Sequence, residues 1–206
     1  MTGVQTCALP ISVAANLALA LAQKGSEVVL IDGDLRHPSV ANALGMKEKE
    51  RGIYHLLKEG GDLGKVMETY GDTSLKVLPG TSKKKVENPL PLIRSKKMRL
   101  LVDALKQVND YVIIDTPPSA MLSDTVAYAG IADAVILVVR QDFTEQKQIR
   151  KALETIADAN IPVAGYVLNY AAEGIGSYGY YGGYGYRRYG YGYGYGYGQK
   201  DKKDEK

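Results

Sequence analysis

Two short stretches limit what this chain can fold into: "VVLIDGDLRHP" at Val28–Pro38 and "YVIIDTPP" at Tyr111–Pro118. Each opens with four apolar residues in a row and then turns abruptly to Asp. Such a run is too short for a helix and has no polar face, so it reads as a strand covered on both sides, which is the environment of a parallel sheet with helices on each face. The rest of the sequence keeps this rhythm. Val13 to Lys24 is an Ala/Leu-rich helix closed by Gly25, and strands are predicted at Glu27–Asp32, Leu75–Leu78, Tyr111–Asp115, Ala134–Arg140 and Val163–Asn169. Helical stretches lie between them at Pro89–Asn109, Ser123–Ala129 and Thr144–Asn160. The expected fold is α/β: a doubly wound, mostly parallel sheet flanked by helices.

The 206 residues, 45% of them apolar and 24% charged, suffice for one core and a modest appendage. A net charge of +3, with Lys and Arg interspersed among Asp and Glu, argues against a nucleic-acid partner. The single cysteine, Cys7, excludes an internal disulfide framework and fits a reducing compartment. No run approaches the ~18 apolar residues that a membrane span requires.

Ligands of doubly wound sheets bind beyond the carboxyl ends of the strands, and here those ends are acidic. The first run closes on Asp32-Gly33-Asp34-Leu35-Arg36, the second on Asp115-Thr116-Pro117-Pro118. One Asp after a strand is also what a helix cap looks like. Two acidic strand ends in one sheet, with Asp32 and Asp34 two residues apart, instead suit a shared cation, with Asp115 holding Mg²⁺ directly or through water.

These residues carry a resemblance. "VVLIDGDLRHP" is similar to the Walker A′ motif and "YVIIDTPP" to the Walker B motif of the bacterial tyrosine kinases, which share the deviant P-loop fold of MinD and ParA. "NLALALAQKG", "LPG" before "NPLPLI", "SDTVAYAGIADAVILVVRQDFT" and "GYVLN" follow in the family's order, so the similarity runs from about Ser12 to Asn169. The resemblance implies ATP and Mg²⁺ as cofactors. It gives Asp32 and Asp34 jointly the tasks of activating a tyrosine hydroxyl and organising Mg²⁺, and it makes Asp115 the Walker B acid on the metal. It also matches Asn169 to an adenine-reading position, although Asn after a strand is a common turn residue too. Arg36 is expected either to contact phosphate or to neutralise the acidic pair Asp32 and Asp34.

The family's glycine-rich GEGKS/T loop would stand just before "VAANLA". In its place is "TGVQTCALPIS", which resembles a translated sequencing adapter. Residues 1–11 are therefore expected to be foreign to the gene, with a divergent natural N-terminus as the alternative, and residues 12–173 to form a kinase/ATPase domain lacking its first strand and phosphate loop. No GxxxxGK occurs anywhere in the chain. A P-loop supplies backbone N–H groups and a Lys to the phosphates, so activity is expected to be impaired without one.

Residues 174–206 differ in composition. Within them "YGYYGGYGYRRYGYGYGYGY" carries ten tyrosines: Tyr178, Tyr180, Tyr181, Tyr184, Tyr186, Tyr189, Tyr191, Tyr193, Tyr195 and Tyr197. Almost no aliphatic residue is available to bury, which predicts a flexible, disordered tail that is either accessible or self-associating. The resemblance makes these tyrosines phospho-acceptors passed between subunits. It implies an ATP-dependent protein-tyrosine autokinase that regulates capsular or exopolysaccharide biosynthesis. Such a kinase works as a homo-oligomer through tail-to-active-site contact, in the cytoplasm at the inner face of the membrane, with a membrane-embedded activator of the chain-length-regulator type. A MinD/ParA-like nucleotide switch without kinase activity is the alternative.

Overall fold

The computed structural model describes residues 10–47, 49–80, 86–117, 122–128 and 130–171. Its centre is β1 (Val28–Asp32), paired in parallel with β3 (Leu75–Leu78) on one side and with β4 (Tyr111–Asp115) on the other. The two-residue β2 (Glu68–Thr69) adds an antiparallel edge to β3. Val28, Val29, Leu30 and Ile31 are all completely buried, as an apolar run without a polar face requires. Alternate side chains go to opposite faces. Val28 and Leu30 join Leu75 and Val77 beneath α1 (Pro10–Gln23). Val29 and Ile31 pack with Ile93, Met98, Val102 and Leu105.

The second face is covered by elements that the sequence pattern only partly foretells. The predicted helix over Pro89–Asn109 is two, α5 (Leu90–Ile93) and α6 (Lys96–Val108). The break falls at Ser95, whose hydroxyl accepts the Met98 N–H at 3.1 Å and caps α6. Short α2 (Val40–Ala43), α3 (Ile53–Glu59) and α4 (Leu63–Val66) were not expected; none is long enough to establish a helical period. α1 starts at Pro10, three residues ahead of the expected Val13. It takes in Ile11, which is buried in the same cluster as Ala15 and Val40 although it belongs to the stretch read as foreign.

The sheet is divided. β5 (Val135–Arg140) and β6 (Val163–Asn169) pair in parallel with each other and with neither β4 nor any other strand of the first sheet. Among the described residues β4 therefore has one open edge, and Tyr111 is 47% exposed although the run was expected to be buried. Ile136 on β5 and Tyr166 and Leu168 on β6 are exposed as well. An apolar strand is covered by neighbours on both sides as well as by helices above and below, and these strands lack one of those neighbours. α7 (Leu122–Tyr128) and α8 (Gln146–Asp158) complete the described fold, and α8 packs against α7. No helix among the described residues is long and apolar enough to cross a membrane.

Candidate active site

Parallel register places Asp32 opposite Asp115 at the carboxyl ends of β1 and β4. The next residue ties the strands together: the Gly33 N–H donates to the Asp115 carbonyl at 2.7 Å. Glycine is required there because a Cβ would collide with that carbonyl oxygen and with Ile114. A Cβ on Gly80, after β3, would overlap the Pro38 ring and crowd the Asp32 carboxylate. Three strand exits thus converge on Asp32 through glycines that permit backbone contact.

Asp32 is 1% exposed. Its Oδ2 accepts the N–H groups of Ser39 and Val40 at 2.9 and 3.0 Å, while Oδ1 is buried and has no hydrogen-bond partner. Asp34 folds back on its own loop, with Oδ1 accepting the Arg36 N–H at 3.1 Å and the His37 N–H at 2.9 Å. Asp115 is also buried. Burial is the main influence on both strand-end acids. It raises Asp115 to about 7, helped by the charges of Asp32 and Asp34. It raises Asp32 to about 6 against the opposing pull of the Val40 and Ser39 amides. The Tyr128 phenol, buried beside these acids and donating to the Gly33 carbonyl at 2.8 Å, is pushed upward as well.

Arg36 answers the question left open by the sequence. Its side chain makes its ion pair with Asp124 on α7 and not with Asp32 or Asp34, Nε to Oδ2 at 2.5 Å, it also donates to the Glu87 carbonyl, and it still feels the charge of Asp34. Asp124 is completely buried, and its hydrogen bond holds the guanidinium pKa above its usual value. Sequence reasoning missed Asp124, since an acid in the first turn of a helix ordinarily means only a favourable helix dipole. Asn169 ends β6 in the other sheet, where its Oδ1 accepts the Tyr170 N–H at 3.0 Å. The Arg140 guanidinium lies 4.5 Å from the centre of the Tyr170 ring and 5.0 Å from that of Phe143.

Among the described residues no three His, Cys, Asp or Glu side chains form an all-protein metal cage. Mg²⁺ does not need one, because it retains waters and takes one or two carboxylates. The orphaned Oδ1 of Asp32 beside Asp34 and Asp115 is a hard-oxygen donor set of that kind.

Comparison with known proteins decides the family. The model of the AAA domain family matches residues 11–162. The tyrosine-protein kinase CpsD of Streptococcus agalactiae is 31% identical over 172 residues, covering 84% of this chain and 74% of that protein. The chain belongs to the bacterial tyrosine-protein kinases. The kinase domain of the Escherichia coli tyrosine kinase ETK superposes with a TM-score of 0.70 at 29% identity, covering 82% of this chain and 66% of that one. MinD from Pyrococcus horikoshii, solved with Mg-ADP, shares the fold at a TM-score of 0.63 and 21% identity, over 81% of this chain and 66% of that one.

Within this fold Asp32, Asp34 and Asp115 lie close together, with the Arg36 backbone alongside, and Asn169 lies on the second sheet. The ten tyrosines from Tyr178 to Tyr197 lie outside the described residues. Of the tyrosines within them, Tyr128 is buried at the centre of the site.

Proposed function

We propose that this chain derives from an ATP-dependent protein-tyrosine autokinase that regulates capsular or exopolysaccharide biosynthesis. The observation that carries the reading is the unpartnered buried Oδ1 of Asp32, set between Asp34 and Asp115 at adjoining strand ends. Mg·ATP supplies the transferable phosphoryl group and the cation that neutralises its charge. Asp34 and Asp115 would hold Mg²⁺, Asp32 would share in organising it and in accepting the proton of an incoming tyrosine hydroxyl, and Asn169 would take the adenine side. Arg36 acts through its pair with Asp124, which fixes the loop bearing Asp34. The acceptors are the ten tyrosines of 174–206, offered to a neighbouring subunit while a membrane-embedded activator keeps the kinase at the inner face of the membrane.

No GxxxxGK stands in the sequence, and among the described residues β4 and β5 each have an open edge. We assign full activity to a chain in which a strand and a glycine-rich loop lead into α1 at residue 12, and impaired activity to this one. A nucleotide switch is the second reading, favoured by the likeness to MinD. The deciding experiment gives the chain a strand and GEGKST loop ahead of Val13, incubates it with Mg·ATP and maps phosphate by mass spectrometry. Phosphotyrosine within 178–197 is expected; ATP hydrolysis without any phosphotyrosine would establish the switch instead.

A further inference from the structure

A cavity of about 250 Å³ opens between α5, the start of α6 and α7, away from the acidic strand ends. Its lining combines apolar residues, Ile93, Val126, Ala127 and Ile131, with the cations Arg94 and Arg99 and the hydroxyl of Ser95. Neither guanidinium has a hydrogen-bond or ion-pair partner among the described residues. The Ser95 oxygen accepts from Met98, which leaves its O–H free to donate. Residues 94–99 contain four cations and no acid. A cavity lined by aliphatic side chains together with two guanidiniums that have no partner among the described residues and a hydroxyl matches an aryl phosphate, the ring lying against the aliphatic side chains and the phosphate taking the Arg forks.

We propose that this cavity is a phosphotyrosine pocket whose occupant is a phosphorylated tyrosine of the chain's own 178–197 segment. The inference rests on the autokinase reading, because an unphosphorylated segment containing Arg187 and Arg188 offers the pocket no anion. Spacing favours this occupant. α7 joins the two sites: Tyr128 at its end hydrogen-bonds Gly33 in the acidic centre, while Val126 and Ala127 line the pocket. Its seven residues span about 10 Å. Tyrosines two residues apart lie about 7 Å apart in an extended chain, so one already phosphorylated can rest in the pocket while a neighbour two to four residues away reaches Asp32. The pocket thereby retains a partly phosphorylated segment for further rounds.

The test uses the full chain and synthetic peptides of residues 178–190, which need no kinase activity. Fluorescence polarisation compares the peptide phosphorylated at Tyr184, the unphosphorylated peptide, and one with phosphoserine at 184. We expect the phosphotyrosine peptide to bind at least tenfold more tightly than either, to be displaced by phenyl phosphate before inorganic phosphate, and to weaken at least tenfold in Arg94→Gln/Arg99→Gln. Lys96→Gln/Lys97→Gln, which removes equal charge outside the pocket, is expected to change binding less than threefold. Equal binding of the phosphoserine peptide, or an equal loss in the two double variants, would overturn the pocket and leave only a diffuse cationic surface. Absence of phosphotyrosine in the loop-bearing chain, with the synthetic peptide still binding, would refute the autokinase reading alone.

Discussion

Asp32 and Asp115 are acids that folding makes weaker. Both bind protons in the folded chain up to about pH 6 and 7, whereas in the unfolded chain they lose them near the ordinary value of 3.8. Between these limits the folded state holds more protons, so the stability of the metal-free protein falls as pH rises from about 4 to 8. The cost of holding Asp115 charged is on the order of 2 kcal/mol or more at pH 8. Asp115→Asn is therefore expected to raise the Tm at pH 8 by several degrees and to leave it nearly unchanged at pH 4; thermal melts at the two values check this, and a parallel shift at both would contradict it. In the loop-bearing chain Asp34→Asn and Asp115→Asn are each expected to cut autophosphorylation at least a hundredfold while the far-ultraviolet circular dichroism stays that of the parent.

At the scale of elements, the Arg36–Asp124 pair joins the loop after β1 to α7. Removing one partner strands the other. Arg36→Met leaves the fully buried Asp124 without its cation and is expected to cost about 3 kcal/mol in urea unfolding, whereas Arg36→Met with Asp124→Leu recovers most of that loss; an additive cycle would mean that the residues do not interact. Gly33→Ala is expected to destabilise through backbone overlap with Asp115 and to abolish transfer even after refolding. This scale also separates what the sequence discloses from what it conceals. β1, β4 and β5 were legible because each is an uninterrupted apolar run with a charged residue at its end, β3 and β6 because β-branched and aliphatic residues still dominate around Lys76 and Gly165, and Asp32, Asp34 and Asp115 were legible as acids at or just past the ends of such runs. The break at Ser95 was not, because the apolar period continues across it and only the cap interrupts the helix. Asp124 was not, because its meaning lies in a partner 88 residues away.

At the scale of the whole molecule, the described strands form two sheets, one of four strands and one of two, where the pattern predicts one. A strand grafted ahead of α1 is expected to pair along β4 and lower the exposure of Tyr111; hydrogen exchange of the β4 amides would slow, and unchanged exchange would show that the graft docks elsewhere. ATP affinity, measured by calorimetry, is expected to rise by at least two orders of magnitude with the same graft, since the loop adds several phosphate-directed donors.

The edges of β4 and β5 that are open among the described residues have a further consequence in the cell. A strand edge with unpaired N–H and C=O groups and exposed apolar side chains is the surface that chaperones and proteases read as unfinished. For such a polypeptide, lifetime governs influence more than turnover number does: a chain cleared within minutes of synthesis phosphorylates nothing, whatever the state of its carboxylates.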